Sequence, residues 1–433
     1  MTTAFVKIWG ELAGAVAWDD TTGYATFEFD SKFKTKGWDL APLLMPVNRS
    51  KSSYNFPSLR KKPDPDLDTF KGLPGLLADV LPDRYGTELI NLWLAGQGRP
   101  PDSMNPVETL CFIGSRGMGA LEFEPTTLKE SKRAFSVEID SLVDITRKML
   151  TKKEAFVTNL RTEEEKAILD ILKIGTSAGG ARPKAVIAYN EHSSEVRSGQ
   201  TGAPKGFEHW LIKLDGVSDV QLGASKGYGR VEMAYYNMAL ACGIDMMPSR
   251  LLEENGRAHF LTKRFDREGG SGRHHIQTFC AMKHFDYNLV NSFSYEQLFQ
   301  TMRELKLPYP TAEQMFRRMV FNVMARNCDD HTKNFAFRMK IDGIWELAPA
   351  YDVCHAYNPN HQWVSQHALS INGKRTNITR DDLLTIGKTI KYKKAAEAID
   401  EISDTVNQWK YFADEVKVSS KLRDDIAATL IRL

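Results

Sequence analysis

The stretch QMFRRMVFNVMARNCDDHTKNF, residues 314–335, joins a run of apolar residues to a cluster of polar ones. Apolar pairs recur every four residues, at 315 and 316, 319 and 320, and 323 and 324, which predicts a buried helix. The helix should end where CDDHTKNF begins. We therefore expect the two aspartates, the histidine, the lysine and the asparagine on a loop that is anchored by a core helix.

The composition limits the class of protein. The chain has 433 residues, 42% of them hydrophobic and 26% charged, as in globular proteins with two or three domains. Its net charge of +2 gives little support to direct nucleic-acid binding. No apolar stretch approaches the roughly 20 residues that span a bilayer, so we expect a cytoplasmic protein without membrane contact. Five widely spaced cysteines without a CxxC pair predict buried thiols.

The first part of the chain, residues 1–130, is predicted to consist of strands and turns with one helix. FVKIWGELAGAVAWDD and GYATFEFD alternate like paired strands, and LADVLPDRYGTELINLWLAG has helical spacing with a stop at Gly96. The three glycines of FIGSRGMGALEFEP, residues 112–125, fit tight turns before a strand better than a phosphate loop. The charged segment LKESKRAFSVEIDSL then predicts a helix that leads into the second part.

A second glycine-rich segment, LKIGTSAGGARPKAVIAYN at residues 172–190, is more informative. A Walker-type phosphate loop would open a helix, whereas here Pro183 and a predicted strand follow the glycines. A glycine-rich turn between two strands is how protein kinases cover the phosphates of a nucleotide. An ordinary hairpin turn would have the same pattern, so this segment alone leaves both possibilities open.

The segments that follow occur in the order of a kinase. EHWLIKLDG, residues 208–216, predicts a strand whose Lys213 could hold the α- and β-phosphates. Glu232, early in the helix predicted from RVEMAYYNMALACGI, could pair with that lysine. RAHFLTKRFDR, residues 257–267, predicts a strand and a hinge whose backbone could bond an adenine edge. Taken singly, Lys213 and Glu232 would also be compatible with ordinary surface charges.

The polar loop supplies residues suited to phosphoryl transfer. Asp329 and Asn334, five residues apart, match the aspartate and asparagine of the kinase loop H-R-D-L-x-x-x-N. Such a site needs a carboxylate near the attacking hydroxyl and oxygen ligands for Mg²⁺. The segments FAFRMK, IDG and IWELAPAYD predict a hairpin that returns Asp352 to this loop, in the place of the kinase DFG aspartate. We expect Asp330 to be solvated and His331 either to touch phosphate or to pack.

Five motifs in order, SAGGARPKA, LIKL, RFDR, CDDHTKNF and LAPAYDV, resemble those of the HipA serine/threonine kinases, the toxins of bacterial HipBA-type modules. LLADVLPDRYG and FIGSRGMGALEF are similar to the N-terminal part of that family, and SINGKRTNITRDDLL to its C-terminal part. The resemblance implies an α+β fold with a protein-kinase-like two-lobed core. It places a β-rich HipA N-terminal subdomain at 1–130, the rest of the N-lobe at 131–270, and a largely helical C-lobe at 271–433.

The resemblance also implies a role for each residue of the site. Asp329 would be the catalytic base with His331 beside it, Asn334 and Asp352 would bind Mg²⁺, and Lys213 would bind phosphate. Ser177, seven residues before Lys184, would be the loop serine that such kinases autophosphorylate. The residues assigned to ATP and Mg²⁺ are Ser177, Ala178, Gly179, Gly180, Ala181, Lys184, Lys213, Glu232, Lys263, Phe265, Asn334 and Asp352, with the backbone of 263–265 as adenine hinge.

The partners implied by the resemblance are a protein substrate, such as an aminoacyl-tRNA synthetase, and a helix-turn-helix antitoxin of HipB type through which DNA would mainly be reached. The predicted function is that of a Mg-ATP-dependent serine/threonine protein kinase, the toxin of a toxin-antitoxin module. Two alternatives remain. A small-molecule phosphotransferase would use the same aspartate, asparagine and aspartate, whereas a mainly non-catalytic co-repressor partner of the antitoxin would not need them.

Overall fold

The computed structural model describes residues 1–48, 53–127, 137–151, 183–199, 202–217 and 227–433. The chain forms two compact units. The first consists of residues 1–226, 252–276 and 339–344, and the second of residues 227–251, 277–338 and 345–433. The domain boundaries predicted near residues 130 and 270 stay predictions, because compactness alone does not define a domain.

The first sheet of the first unit is antiparallel, in the order β4-β3-β2-β1-β5. Its strands are β1 (Thr2–Ile8), β2 (Glu11–Asp19), β3 (Tyr24–Phe29), β4 (Ser53–Asn55) and β5 (Leu121–Glu124). A two-residue turn, Trp9 and Gly10, joins β1 to β2, and both residues have positive φ as such hairpins require. The alternation of buried and exposed residues along β1 confirms the strands predicted from the sequence.

A second five-stranded sheet has the order β7-β6-β8-β10-β9. Its strands are β6 (Lys184–Tyr189), β7 (Val196–Ser198), β8 (Glu208–Lys213), β9 (Ser249–Glu254) and β10 (Arg257–Lys263). Ile187 on β6 and Trp210 and Ile212 on β8 belong to one buried cluster with Leu89 and Phe112 from the helices of this unit. This core fixes the two strands that carry Lys184 and Lys213.

In the described residues of the first unit the α-helices are α1 (Gly75–Ala78), α2 (Arg84–Gly96), α3 (Pro106–Ile113) and α4 (Ile139–Thr151). The sequence analysis is wrong in predicting one helix from residue 77 to Gly96, because α1 ends before Pro82 and α2 begins after Asp83. Proline does not fit the interior of a helix. The Asp83 side chain accepts a hydrogen bond from the Gly86 amide (2.7 Å) and thereby caps the new helix.

The second unit is mainly helical. Its helices are α5 (Tyr228–Ala241), α6 (Phe279–Lys283), α7 (Tyr295–Glu304), α8 (Pro310–Met324), α9 (Arg380–Thr389), α10 (Ala395–Asn407), α11 (Trp409–Glu415) and α12 (Ser420–Ala427). The predicted core helix is confirmed as α8, in which Phe316, Met319, Val320 and Val323 have no exposed surface. It packs against α10. The polar loop therefore begins at the end of a helix with a continuous buried face.

The remaining strands are short. β11 (Arg267–Glu268) pairs with β12 (Gly272–Arg273), and β13 (His275–Thr278), β14 (Ala336–Met339) and β15 (Trp345–Leu347) form a three-stranded sheet in that order. β14 and β15 are the hairpin predicted to follow the polar loop. Four of the five cysteines are buried and Cys354 is partly buried, as predicted. Within the described ranges, no helix has the length and apolar character to cross a membrane.

Candidate active site

The polar loop that follows α8 has a defined backbone path. Arg326 takes a left-handed conformation with a φ of 54°, which turns the chain out of the helix. The Cys328 amide then donates to the Ala356 carbonyl oxygen (3.0 Å), and the Ala368 amide donates to the Cys328 carbonyl oxygen (3.2 Å). A short 3-10 turn, Thr332–Asn334, precedes β14. These bonds fix the backbone on which the polar side chains are carried.

Asp329 and Asn334 are joined across this loop by one hydrogen bond. Asn334 Nδ2 donates to the main-chain carbonyl oxygen of Asp329 (2.6 Å). Because the amide nitrogen is engaged, the amide oxygen is the atom of Asn334 that could bind a cation. The side chain of Asp329 is 49% exposed, so a substrate hydroxyl can approach its carboxylate. The structure thus brings together the two residues that the sequence predicts as base and metal ligand.

Asp352 reaches the same region from the hairpin β14–β15. Together with Asp330 and Asn334 it lines a cavity of about 20 Å³. A cavity of this size holds roughly one water molecule or a small cation. Asp352 also has a left-handed backbone with a φ of 53°, which is uncommon for a residue with a β-carbon. The hairpin therefore returns Asp352 to the loop, and its role as metal ligand stays a prediction.

Two hydrogen bonds hold the segment that leads to Asp352. Arg318, buried in α8, donates from Nη1 to the Ala348 carbonyl oxygen (2.9 Å), and the Tyr351 hydroxyl donates to the Lys333 carbonyl oxygen (2.6 Å). Burial lowers the pKa of Arg318 to about 10, which leaves its guanidinium charged at neutral pH. No role for Arg318 was predicted from the sequence, although a charged residue among the apolar residues of this helix could have indicated one.

His331 lies half-buried beside Asp329. Its Nε2 is 3.8 Å from Asp329 Oδ1, and its ring centroid is 5.2 Å from that of Tyr287. Its Nδ1 is buried and makes no hydrogen bond with any residue in the described part of the chain. His331 thus packs against Tyr287 while its Nδ1 keeps an unused capacity for a hydrogen bond, and contact of this residue with phosphate stays a prediction.

The sequence analysis is wrong about Asp330, which is buried rather than solvated. Its side chain has no exposed surface. It accepts hydrogen bonds from the Tyr295 hydroxyl (2.8 Å), from His367 Nδ1 (2.9 Å) and from the Ala368 amide (2.7 Å). Asp330 thus faces the protein interior, whereas the neighbouring Asp329 side chain is half exposed. No sequence signal marks His367, because it lies 37 residues farther along the chain and outside every motif.

The ion pair between Asp330 and His367 predicts a pH-dependent stability. Burial by itself lowers the pKa of His367, but the charge and hydrogen bond of Asp330 outweigh burial and raise the pKa to about 10. An unfolded histidine has a pKa of about 6.5. The stabilisation by protonated His367 is therefore fully present below about pH 6.5 and is lost as the pH rises through the folded value.

Thermal melting of the wild type and of His367→Asn between about pH 6 and pH 10 checks this expectation. The difference in melting temperature between the two proteins should shrink as the pH rises, since the wild type loses its charged pair and the variant has none. A difference that stays constant or grows over this range contradicts the raised pKa.

The predicted phosphate lysine and hinge belong to the first unit. Lys213 ends β8, and its Nζ lies 5.9 Å from the ring centroid of Phe260. Lys263 ends β10, and its Nζ forms an ion pair with Glu208 (2.5 Å). Phe265 lies two residues beyond the end of that strand. The side chain of Lys263 is thus engaged by a carboxylate, which agrees with a hinge that would act through its backbone.

Lys184 has a buried acidic neighbour. It begins β6, is 3% exposed, and its Nζ lies 3.5 Å from the carboxylate of Asp83, which is also buried. Asp83 is the residue that caps α2. A role for Lys184 in the ATP site would therefore compete with this pair, and the assignment stays a prediction.

For the other predicted site residues, a place in the same site as the polar loop stays a prediction. Glu232 is 5% exposed on α5 in the second unit, whereas Lys213 belongs to the first unit, so their pairing stays a prediction. The glycine-rich loop lies outside the described residues. Its predicted members are Ser177, Ala178, Gly179, Gly180 and Ala181.

Two family models match the sequence. The HipA N-terminal domain matches residues 4–124, and the HipA-like C-terminal domain matches residues 176–409, which is more than half of the chain. The chain belongs to the HipA family. Among solved structures, this HipA-family chain is similar to a chain of the Shewanella oneidensis MR-1 complex of HipA, HipB and operator DNA. The TM-score is 0.67 at 16% identity, over 98% of this chain and 94% of the other. The likeness shows the fold and confirms the predicted fold class.

Two further matches cover less of this HipA-family chain. The Sinorhizobium fredii protein named "Putative kinase Y4mE" is 26% identical over 125 residues, or 27% of this chain. The match spans 30% of the length of that relative. The Helicobacter pylori proinflammatory kinase CtkA aligns with 52% of this chain at 14% identity, and its TM-score of 0.32 is too low to support a structural argument.

Proposed function

We propose that this protein is a Mg-ATP-dependent serine/threonine protein kinase that serves as the toxin of a bacterial toxin-antitoxin module. The observation that carries the proposal is the arrangement at the end of α8. Asn334 binds the main chain of Asp329, and Asn334 and Asp352 line one small cavity. These are the three side chains that phosphoryl transfer needs near the γ-phosphate: an accessible carboxylate and two oxygen ligands.

In this mechanism the chain mainly positions the reactants. The exposed carboxylate of Asp329 orients the serine or threonine hydroxyl of the substrate and accepts its proton as the oxygen bonds to the γ-phosphorus and ADP leaves. Lys213 holds the α- and β-phosphates, and the backbone of residues 263–265 binds the adenine edge. The hydrogen bonds of Asn334 and Tyr351 keep the loop in place before the substrate arrives.

The residues around the cavity fit Mg²⁺. Magnesium prefers oxygen ligands, and in kinases it is held by one or two carboxylates, by phosphates and by water, without an all-protein cage. Asp352 offers a carboxylate and Asn334 an amide oxygen. Bound there, Mg²⁺ would neutralise the charge that develops on the phosphates.

Transfer of radiolabel from γ-labelled ATP tests the proposed function. The purified protein is incubated with Mg-ATP and a bacterial lysate, with a parallel sample in which Mg²⁺ is chelated. Label in protein bands that disappears on chelation supports a protein kinase. Label confined to low-mass products would instead establish the small-molecule phosphotransferase, and no transferred label would favour the non-catalytic co-repressor.

The substrate and partners are proposed from the family. The solved relative is named for a complex with HipB and operator DNA. We propose that this chain likewise binds a helix-turn-helix antitoxin, reaches DNA mainly through it, and phosphorylates a translation-related protein such as an aminoacyl-tRNA synthetase. Phosphoproteomics after induction tests the substrate, and co-purification with the helix-turn-helix protein of the neighbouring reading frame tests the antitoxin.

Ser177 is expected to be phosphorylated by the enzyme itself and thereby to switch it off. A phosphate on the glycine-rich loop adds roughly −1.5 to −2 charges where the phosphates of ATP would dock, so it should weaken ATP binding. Arg182 or Lys184 could pair with the new phosphate, although Lys184 would first have to leave Asp83.

Intact-mass measurement and peptide mapping after incubation with Mg-ATP check this prediction, with Asp329→Asn as the inactive control and Ser177→Ala as the unmodifiable one. The active enzyme should gain one phosphate at residue 177 and bind ATP more weakly. An unmodified Ser177, or a phosphorylated form with unchanged affinity for ATP, defeats the idea.

A further inference from the structure

A series of buried polar side chains, linked by hydrogen bonds, lies on the inner side of the polar loop. Asn327 Nδ2 donates to Asn322 Oδ1 (3.0 Å), and Asn322 Nδ2 donates to the Tyr295 hydroxyl oxygen (3.0 Å). The Tyr295 hydroxyl donates in turn to Asp330 Oδ2, which also accepts from His367 (2.9 Å). All five side chains are buried. These hydrogen bonds connect α8, α7 and the segment around residue 367 through the carboxylate of Asp330 in the polar loop.

Asp330 lines the cavity, but three hydrogen bonds already use most of the acceptor capacity of its carboxylate. Oδ1 accepts the Ala368 amide and Oδ2 accepts both the tyrosine hydroxyl and the imidazole, so both oxygens are already engaged. Removing a partner from a buried carboxylate is costly, because the charge is then left without compensation. The three donors therefore hold this residue in one place.

The donors are themselves held in place. Arg375 donates to the carbonyl oxygens of His367 (3.3 Å) and Phe293 (2.8 Å), which fixes the segment that supplies the imidazole. The Ala368 amide is shared between Asp330 Oδ1 and the Cys328 carbonyl oxygen, so it contacts the residues on both sides of Asp329. The backbone of Asp329 is thus fixed before and after its own α-carbon.

We propose that Asp330, held by Tyr295 and His367, is a positioning residue that directs the carboxylate of Asp329 toward the substrate hydroxyl. Because the two aspartates are adjacent and the bonds to Cys328 and Asp330 fix the backbone between them, the buried aspartate limits where the exposed one can point. A misplacement of about 1 Å in such a group can cost about 100-fold in rate. The inference rests on the proposed kinase function, since it concerns how the base of that reaction is held.

Kinetic comparison of three variants tests the inference on the full chain. His367→Ala removes a donor to Asp330, His367→Asn restores an N–H near the position of Nδ1 without the charge, and Tyr295→Phe removes the hydroxyl alone. We expect kcat to fall about 10- to 100-fold in His367→Ala, with the KM for ATP unchanged within about twofold. His367→Asn should recover most of the rate, and Tyr295→Phe should give an intermediate loss.

The matched control is Tyr235→Phe. Tyr235 is also fully buried in the second unit, and its hydroxyl donates to the Ala325 carbonyl oxygen (2.6 Å) rather than to the loop carboxylate. It should lose thermal stability like Tyr295→Phe but keep its kcat. Rates are normalised to the folded fraction at a temperature well below each melting midpoint, so that loss of folding is not counted as loss of chemistry.

A double variant separates positioning from general damage. In the Asp329→Asn background, His367→Ala should lower the residual rate no further, because it acts through Asp329. An additive loss, or an unchanged kcat in His367→Ala and Tyr295→Phe with an active wild type, overturns the positioning role and leaves the kinase function standing. A wild type that transfers no phosphoryl group overturns both.

Discussion

Asp329→Asn is expected to lower phosphoryl transfer about 100- to 10,000-fold, the usual contribution of a general base. The change is nearly isosteric and removes only the basic oxygen. The side chain is half exposed, and the hydrogen bond from Asn334 goes to the main chain of Asp329, so the variant should keep this bond and the fold. Affinity for Mg-ATP should stay near that of the wild type. Single-turnover transfer and nucleotide titration measure the two quantities separately.

Asp404→Asn is the control for this variant. Asp404 is an exposed aspartate on α10 of the same unit, so the control makes the same chemical change away from the loop. It should keep full activity. Retained transfer in Asp329→Asn would show that another residue is the base, and a loss of nucleotide binding in that variant would point to a role in binding instead.

Asp352→Ala is expected to weaken Mg-ATP binding at least about tenfold and to lower the rate as well, because it removes a proposed metal ligand. It has a second effect, since alanine tolerates the left-handed backbone at this position less well than aspartate does. The variant should therefore also melt at a lower temperature than the wild type. Titration of Mg²⁺ at fixed ATP gives the metal dependence, and thermal melting gives the stability.

Asp352→Asn separates these two effects. Asparagine visits the left-handed region readily and keeps the size of the side chain, while it lacks the charge. It should show weakened metal dependence with a melting temperature near that of the wild type. If both variants have the Mg²⁺ dependence of the wild type, the metal ligand must be sought elsewhere in the chain.

The parts of the structure that the sequence predicts well depend on neighbours in the chain. The alternation of residue types in β1 and the four-residue spacing of apolar pairs in α8 indicate which side of each element is buried. The spacing of Asp329 and Asn334 predicts their association because only a short turn separates them. Pro82 also indicates the break between α1 and α2, but the apolar residues on both sides of it have helical spacing and suggest one continuous helix.

The contacts that the sequence does not reveal join residues that meet only in the folded chain. The burial of Asp330 depends on Tyr295 and His367, which lie 35 residues before it and 37 after it. Lys184 lies on a strand with all six residues buried, so alternation could not show which way it points. Its partner Asp83 comes from a capping position about 100 residues earlier in the sequence. Such contacts produce no periodic pattern in the sequence.

The interleaving of the two compact units bears on how the chain is made. Residues 252–276 and 339–344 return to the first unit after residues 227–251 have already contributed to the second. Neither unit is complete when residue 338 leaves the ribosome, so we expect neither to reach its final structure before residues 339–344 have been synthesised. Nascent chains stalled before residue 339 should thus contain neither unit in full, and a cut at any single position would leave at least one unit divided between two fragments.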